Sequence, residues 1–226
     1  MTMMKRIASG ALCCLLLCLS FAGCSKKALG DSPVPLETVT QNSRGNRATF
    51  EFGLPAGWVS YPIYDDTVGA VEEKNIEKFN DPDFEDYSLR LEIRNYQNGN
   101  TFFMEGYDQA IEALFNGETD QYINYIKQSN AELASGLGES EVPSTDYQFQ
   151  YYRGTYGTIV EVRHSETYQG EVVQSIVCYR EDIPYMVTGA FKDTNELSSG
   201  DIVPWVADSL KVTEHFQTQS DTSQEQ

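Results

Sequence analysis

The stretch YQFQYYRGTYGTIVEVRHSETY (residues 147–168) decides the fold class, because two apolar alternations flank a glycine-containing turn at 154–157. Aromatic and β-branched side chains recur at every second position, which is the pattern of half-buried strands. Similar runs follow at 171–180 and 185–191, separated by the turn signal at 181–184. The gaps are short, so we predict four neighbouring antiparallel strands at 147–153, 158–166, 171–180 and 185–191.

Two helical segments precede these four strands. Apolar residues between 107 and 115 follow the spacing i, i+3, i+4, i+7, i+8, and Gly117 marks the end of this helix. Thr119 is a favourable N-cap for a second helix. A last helix is predicted at 201–210, where Pro204 falls in the first turn and its missing N–H costs little.

Further strands are predicted nearer the N-terminus, at 48–52 and around 89–93, where apolar and polar residues alternate, and 58–63 is predicted to be extended after the turn at 55–57. The order is strands, two helices, four strands and a final helix. This order predicts the α+β class, with an antiparallel β-sheet covered by helices.

Two stretches carry a family resemblance. ATFEFGLPAGW (48–58) resembles the opening strand and turn of PsbP-like domains, and DIVPWVADSLKV (201–212) resembles their closing helix. The resemblance implies an α/β/α sandwich. Members of this family are mainly binding or assembly modules without a shared catalytic constellation, so it implies no functional residue here.

The N-terminus has the pattern of an export signal. Lys5 and Arg6 precede about 16 uncharged residues from Ile7 to Ala22, and the run continues into LLLCLSFAGC (15–24). A membrane-spanning helix needs roughly 20 apolar residues, so this run is short for a span and suits a signal peptide. Small residues at 22 and 23 precede Cys24.

This run resembles a bacterial lipoprotein signal, with Phe21 in the place of the usual Leu. The resemblance implies cleavage between Gly23 and Cys24 and a covalent diacylglycerol on the Cys24 thiol. Two acyl chains give stable membrane anchoring, whereas one is marginal. The expected location is the extracytoplasmic face of the bacterial cell membrane. An ordinary secreted protein and a retained membrane span are the alternatives.

The predicted mature chain is strongly acidic. Removing residues 1–23 takes away two basic residues and no acid, which leaves 34 acids, 14 basic residues and a net charge of −20. Such a surface repels nucleic acid and anionic headgroups, so we expect membrane contact through the lipid anchor and no nucleic-acid partner.

The cysteine count excludes an internal disulfide. Three cysteines leave with the signal and Cys24 is lipidated, so only Cys178 remains. Stability must therefore come from one core, predicted at 47–216. Residues 24–46 are predicted to hold the lipidated cysteine and a flexible tether with a reach of roughly 26 Å. Residues 217–226 are predicted to be disordered.

Asp81, Asp83 and Glu85 are weak candidates for a metal site, because carboxylates at alternate positions are typical of calcium loops. Asp86 stands where such a loop requires glycine, so a solvated acidic loop is the preferred interpretation. We predict no cofactor and do not expect Ca²⁺ binding. A metal site that does not follow the pattern of a calcium loop is the alternative.

Catalytic patterns are weak throughout the chain. Cys178 and His164 are on neighbouring predicted strands, where a Cys–His dyad is conceivable, but a buried thiol is the simpler interpretation. Glycosidase chemistry needs only two suitably spaced carboxylates, so 34 acids neither favour nor exclude it.

The tyrosines indicate a binding function more strongly than any pattern in the chain indicates catalysis. Tyr147, Tyr151, Tyr152 and Arg153 form the candidate binding face, because tyrosine and arginine are enriched in contact surfaces. The alternative is that strand aromatics cover helices and form cross-strand pairs. The leading hypothesis is a cell-surface lipoprotein that is a non-catalytic binding or assembly module for a protein or envelope partner. A hydrolase with paired carboxylates and a Ca²⁺-dependent module are the alternatives.

Overall fold

The computed structural model describes residues 26–77, 90–97, 105–137, 146–168, 171–191 and 196–215, which contain eleven strands and three α-helices. The strands are β1 (Lys27–Ala28), β2 (Leu36–Asn42), β3 (Ala48–Pro55), β4 (Trp58–Tyr64), β5 (Thr67–Glu72), β6 (Arg90–Asn95), β7 (Gln148–Arg153), β8 (Thr158–Tyr168), β9 (Glu171–Arg180), β10 (Tyr185–Phe191) and β11 (Lys211–Glu214). The helices are α1 (Tyr107–Phe115), α2 (Thr119–Leu137) and α3 (Val203–Ser209). The predicted α+β class is confirmed, in a strand-rich form.

Eight strands form the larger sheet, in the order β1-β7-β8-β9-β10-β6-β5-β4. The predicted run of four antiparallel strands, β7 to β10, is confirmed, and β9 and β10 have the predicted bounds. β1 is the exception in direction, since it pairs with β7 in parallel. The smaller sheet has the order β11-β3-β2 and is antiparallel.

The predicted helices are confirmed. α1 ends at Phe115, and Gly117 adopts a positive φ of 84° while its N–H donates to the Leu114 carbonyl at 3.0 Å. Glycine suits this position because other residues are strained in the left-handed region. α2 then begins at Thr119, as predicted.

One face of the larger sheet, which we call the α3 face, packs against α3 and β3. Its side chains alternate along the strands with those of the opposite face. Phe50 of β3 contacts Tyr185 edge-to-face, with ring centroids 5.5 Å apart. The fully buried members of this cluster include Phe52, Leu91, Ile93, Ile159, Ile176, Cys178, Val206 and Leu210.

The opposite face, which we call the tyrosine face, packs against α1 and α2. Leu114 and Ile111 of α1 belong to the same buried cluster as Val160 and Val162 of β8. The buried aromatic members are Tyr96, Tyr107, Tyr122, Tyr151 and Tyr179. Both faces of β7 to β10 are therefore covered, each by its own apolar cluster.

The predicted flexible tether at 24–46 needs correction. β2 pairs with β3 over seven residues, from Leu36 opposite Pro55 to Asn42 opposite Thr49, and β1 pairs with β7. The strand LETVTQN has only two apolar residues because it is the edge of a small sheet, so backbone pairing with β3 stabilises it more than side-chain burial does. The folded domain therefore includes residues well before 47.

Cys24 and the predicted tail at 217–226 lie outside the described residues. Across the ranges that the structure describes, no helix combines the length and the apolar character needed to cross a membrane.

Candidate functional site

Two of the four candidate binding residues lie on the tyrosine face. Tyr151 is only 6% exposed, and its hydroxyl donates to the Leu114 carbonyl at 2.9 Å. Tyr147 is half-buried and stacks on Phe149 and His164, with ring centroids 6.4 and 5.7 Å away. Tyr151 is therefore a core residue that joins β7 to α1 and is not accessible to a partner.

The other two residues lie apart from them. Tyr152 is half-buried on the α3 face, where its hydroxyl donates to Glu161 Oε2 at 3.0 Å. Burial raises the pKa of Tyr152, and the Glu161 carboxylate raises it further. Arg153 is exposed at the end of β7. Because neighbouring strand residues point to opposite faces, the four residues do not form one exposed surface.

Glu161 is the most enclosed acid near these residues, with 3% of its surface exposed. Its Oε1 accepts a hydrogen bond from Arg163 Nε at 2.5 Å, and Tyr152 donates to the other oxygen. The Arg163 guanidinium lies over the Phe191 ring, 4.8 Å from its centroid. Both carboxylate oxygens thus have donors, so this group is suited to holding β7 and β8 together.

A second buried carboxylate, Glu92 on β6, lies on the tyrosine face. It is paired with Arg90 at 3.2 Å and with Arg94. The strand order places β9 and β10 between Glu92 and Glu161, and three strand spacings amount to about 14 Å. The two carboxylates also lie on opposite faces, whereas glycosidase pairs are about 5–9.5 Å apart. The two most buried acids of the described chain do not form a catalytic pair.

Both ion-pair groups have a signal in the amino-acid sequence that the predictions above do not use. Acid and arginine alternate at i and i+2 in Glu161–Arg163 and in Arg90-Glu92-Arg94. Residues two apart in a strand share a face, so each acid has a cation beside it on the same strand. The arginine therefore compensates the buried negative charge, and no cation from another strand or helix is needed.

Cys178 and His164 do not form a dyad. Cys178 lies opposite Glu161 in the register and points to the α3 face, where it is fully buried. Burial raises the pKa of its thiol well above the ordinary value, and the nearby Glu161 raises it further. His164 lies on the other face, stacked on Tyr147. A protonated, enclosed thiol is a poor nucleophile.

The hydroxyl groups of the core tyrosines form hydrogen bonds with one another. The Tyr179 hydroxyl lies 2.5 Å from the Tyr107 hydroxyl and 3.1 Å from the Tyr122 hydroxyl. Burial raises the pKa of Tyr107 and of Tyr179 well above 10, and raises the pKa of Tyr96 to about 12. These phenols are therefore neutral hydrogen-bonding groups that join α1 and α2 to the sheet.

The metal candidates Asp81, Asp83 and Glu85 lie outside the described residues. Within the part of the chain that the structure describes, no group of three or more His, Cys, Asp or Glu side chains is arranged to hold a metal ion.

A feature that the sequence analysis missed lies at the β1 edge of the larger sheet. Lys27 and Ala28 pair with Tyr152 and Arg153, and the Leu29 N–H donates to the Arg153 carbonyl at 3.5 Å. The segment that follows Cys24 most closely is therefore part of the folded domain. Its pairing uses backbone groups, which leave no periodic signal in two residues.

Comparison with known proteins assigns no family to this chain. No protein-family model matches it, and no curated protein matches it significantly.

Proposed function

We propose that the protein is a lipoprotein of the extracytoplasmic bacterial membrane surface, where it is a non-catalytic binding or assembly module. The observation that carries this proposal is the sequence LLLCLSFAGC (15–24), an uncharged run after two basic residues that ends in small residues and Cys24. A diacylglycerol on Cys24 anchors the domain, and no soluble cofactor is part of the proposal.

The surroundings of the ionisable side chains support a non-catalytic role. Glu161 and Glu92 are each neutralised by arginine on their own strand, and Cys178 is buried. Each group is held in contacts that a reaction would have to break, and breaking a buried pair costs about 3–5 kcal/mol. No feature of the described residues favours the hydrolase or the Ca²⁺-dependent module over binding.

We further propose that the layers correspond to the α/β/α sandwich of PsbP-like domains. Three features support this: α1 and α2 on the tyrosine face, α3 on the opposite face, and an aromatic β3 that runs into the turn before Trp58. PsbP-like domains are mainly binding or assembly modules, and a shared fold raises the expectation of such a role without assigning a partner.

The partner in this proposal is a protein or a polymer of the cell envelope. A net charge of −20 for the mature chain disfavours anionic polymers and nucleic acid. Because Tyr151 is buried, Tyr147, Tyr151, Tyr152 and Arg153 cannot together form the contact surface for a partner. The partner surface must therefore be found by experiment rather than from the tyrosine pattern.

Fractionation of cells that express the natural chain and Cys24→Ala tests the anchor. We expect the natural chain in the membrane fraction, and Cys24→Ala either released or retained as an uncleaved precursor. A mature Cys24→Ala protein that stays in the membrane fraction would refute lipid anchoring.

Cross-linking on intact cells tests the binding role, with Cys24→Ala as the matched control. We expect at least one envelope component to be attached to the anchored protein and absent from the released variant. If the anchored protein yields only free monomer at every cross-linker length, the binding proposal fails.

A further inference from the structure

The connection between Cys24 and the folded domain is very short. Lys27 is the first residue of β1, and three residue steps of fully extended chain span at most about 11 Å. On the proposal that Cys24 is lipidated, the bilayer surface therefore lies close to the strand on which Lys27 is docked.

From this geometry we infer that the domain is held on the bilayer in a fixed orientation, with the β1 edge of the larger sheet facing the lipid headgroups. The β1 edge here comprises residues 26–30, Arg153 and Trp205. The inference rests on the proposed lipid anchor and adds which surface of the protein the phospholipid contacts.

Several contacts fix the segment after Cys24 to the domain. Lys26 Nζ donates to Thr158 Oγ1 at 2.6 Å, and Trp205 Nε1 donates to the Gly30 carbonyl at 2.7 Å. Leu29 packs against the core cluster of the α3 face between these two bonds. Because side chains of β8 and α3 both hold the segment, it cannot swing away as a flexible tether would.

The composition of the β1 edge suits contact with headgroups. Lys27 and Arg153 are exposed cations, in a mature chain with only 14 basic residues against 34 acids. Trp205 is half-buried there, and Trp is enriched at membrane–water interfaces. Three acids lie close to this edge: Glu181 near Lys26, Asp31 next to Gly30 in the chain, and Asp208, which accepts from the Thr155 N–H. This edge is therefore less repulsive to anionic lipid than the average surface of the domain.

The opposite edge of the sheet provides the control position. Tyr64 ends β4, is 49% exposed and lies seven strand spacings from β1, up to about 34 Å along a flat sheet. A label at Tyr64 and a label at Arg153 should therefore report very different distances from the bilayer.

The test uses lipidated full-length mature protein, purified from bacterial membranes and reconstituted in phosphatidylcholine–phosphatidylglycerol vesicles with a nitroxide on the headgroup. Arg153→Cys and Tyr64→Cys are labelled separately with one fluorophore. Cys178 is fully buried and Cys24 is blocked by the lipid, so labelling is selective. We expect quenching at Arg153 to be at least three-fold stronger than at Tyr64. Equal quenching in vesicle-bound protein would overturn the orientation alone.

A spacer variant tests the cause of the orientation. Inserting 20 Gly/Ser residues after Ser25 adds a reach of roughly 25 Å without altering a described contact. We expect the difference in quenching between Arg153 and Tyr64 to fall below 1.5-fold, and an unchanged difference would overturn the short connection as the cause of the orientation. Failure of the lipidated chain to co-sediment with vesicles would instead refute the proposed anchor, and the orientation with it.

Discussion

Replacing Arg180 is the substitution for which the structure predicts the clearest loss of stability. This side chain is 3% exposed, and its Nη1 donates to the carbonyls that end α3: Ala207 at 2.9 Å, Asp208 at 3.2 Å and Leu210 at 2.6 Å. Nε and Nη2 donate to the Asp182 carboxylate at 2.5 and 3.1 Å. One guanidinium thus joins the end of β9 to the end of α3.

The expected loss in the free energy of unfolding depends on which buried hydrogen-bonding groups are left without a partner. Arg180→Met leaves the carbonyls that end α3 without this donor, and an unsatisfied buried polar group costs about 1–3 kcal/mol. We expect a total loss of about 3–5 kcal/mol, since such costs are not fully additive. The Asp182 side chain is 38% exposed, and asparagine keeps one oxygen that accepts from the buried Arg180, so Asp182→Asn should cost less, about 1–2 kcal/mol. The carbonyl bonds, and not the ion pair, should dominate.

Urea unfolding followed by far-UV circular dichroism measures these free energies. The exposed Arg153→Met is the matched control, and we expect it to change the free energy of unfolding by no more than about 0.5 kcal/mol. All variants carry Cys24→Ala, so that the lipid is absent throughout. A loss below about 1 kcal/mol in Arg180→Met, or an equal loss in Asp182→Asn, would refute the reasoning.

Three further predictions concern the core. Burial raises the pKa of Tyr107 and Tyr179, so their contribution to stability is full below pH 10 and falls as the unfolded state ionises above it; each should cost about 1.4 kcal/mol between pH 8 and pH 11, and Tyr179→Phe should remove about that much of the decline measured by urea unfolding. Gly189→Ala should lose about 1–3 kcal/mol because its Cβ would lie 2.8 Å from Val203 Cγ2, while Gly30→Ala, with no atom within 4 Å, should be neutral; equal melting temperatures would contradict this. Cys178 should react with a thiol reagent only at the rate of unfolding, and rapid labelling of folded protein would contradict its burial.

How much of the fold is predictable from sequence depends on the position of each strand. β9 and β10 are predicted with their observed bounds, because strong apolar alternation and turn residues delimit them. β2 is missed because an edge strand needs little apolar surface of its own. β5 is also not predicted, because Gly69 interrupts its apolar run. A Cβ at this position would lie 2.7 Å from Tyr61 Cζ on the neighbouring strand, so glycine leaves room for that ring, a contact that only the structure reveals.

The candidate site shows a second limit of sequence reasoning. Side chains alternate along a strand, which places Tyr147 and Tyr151 on one face and Tyr152 on the other, in agreement with the structure. It does not show which face is solvent-exposed, and both faces of β7 are covered here. Exposure depends on α1 packing over Tyr151 and on Glu161 receiving the Tyr152 hydroxyl, and neither contact follows from local periodicity.

Intact-mass and peptide mass spectrometry of the native protein, extracted from bacterial membranes, is the most direct test of the lipid anchor. We predict a chain that begins at Cys24 and an N-terminal peptide that carries the mass of a diacylglyceryl group on the Cys24 sulfur. A chain that begins elsewhere, or a Cys24 with an unmodified thiol, would contradict the central claim that a lipid holds this acidic domain on the membrane.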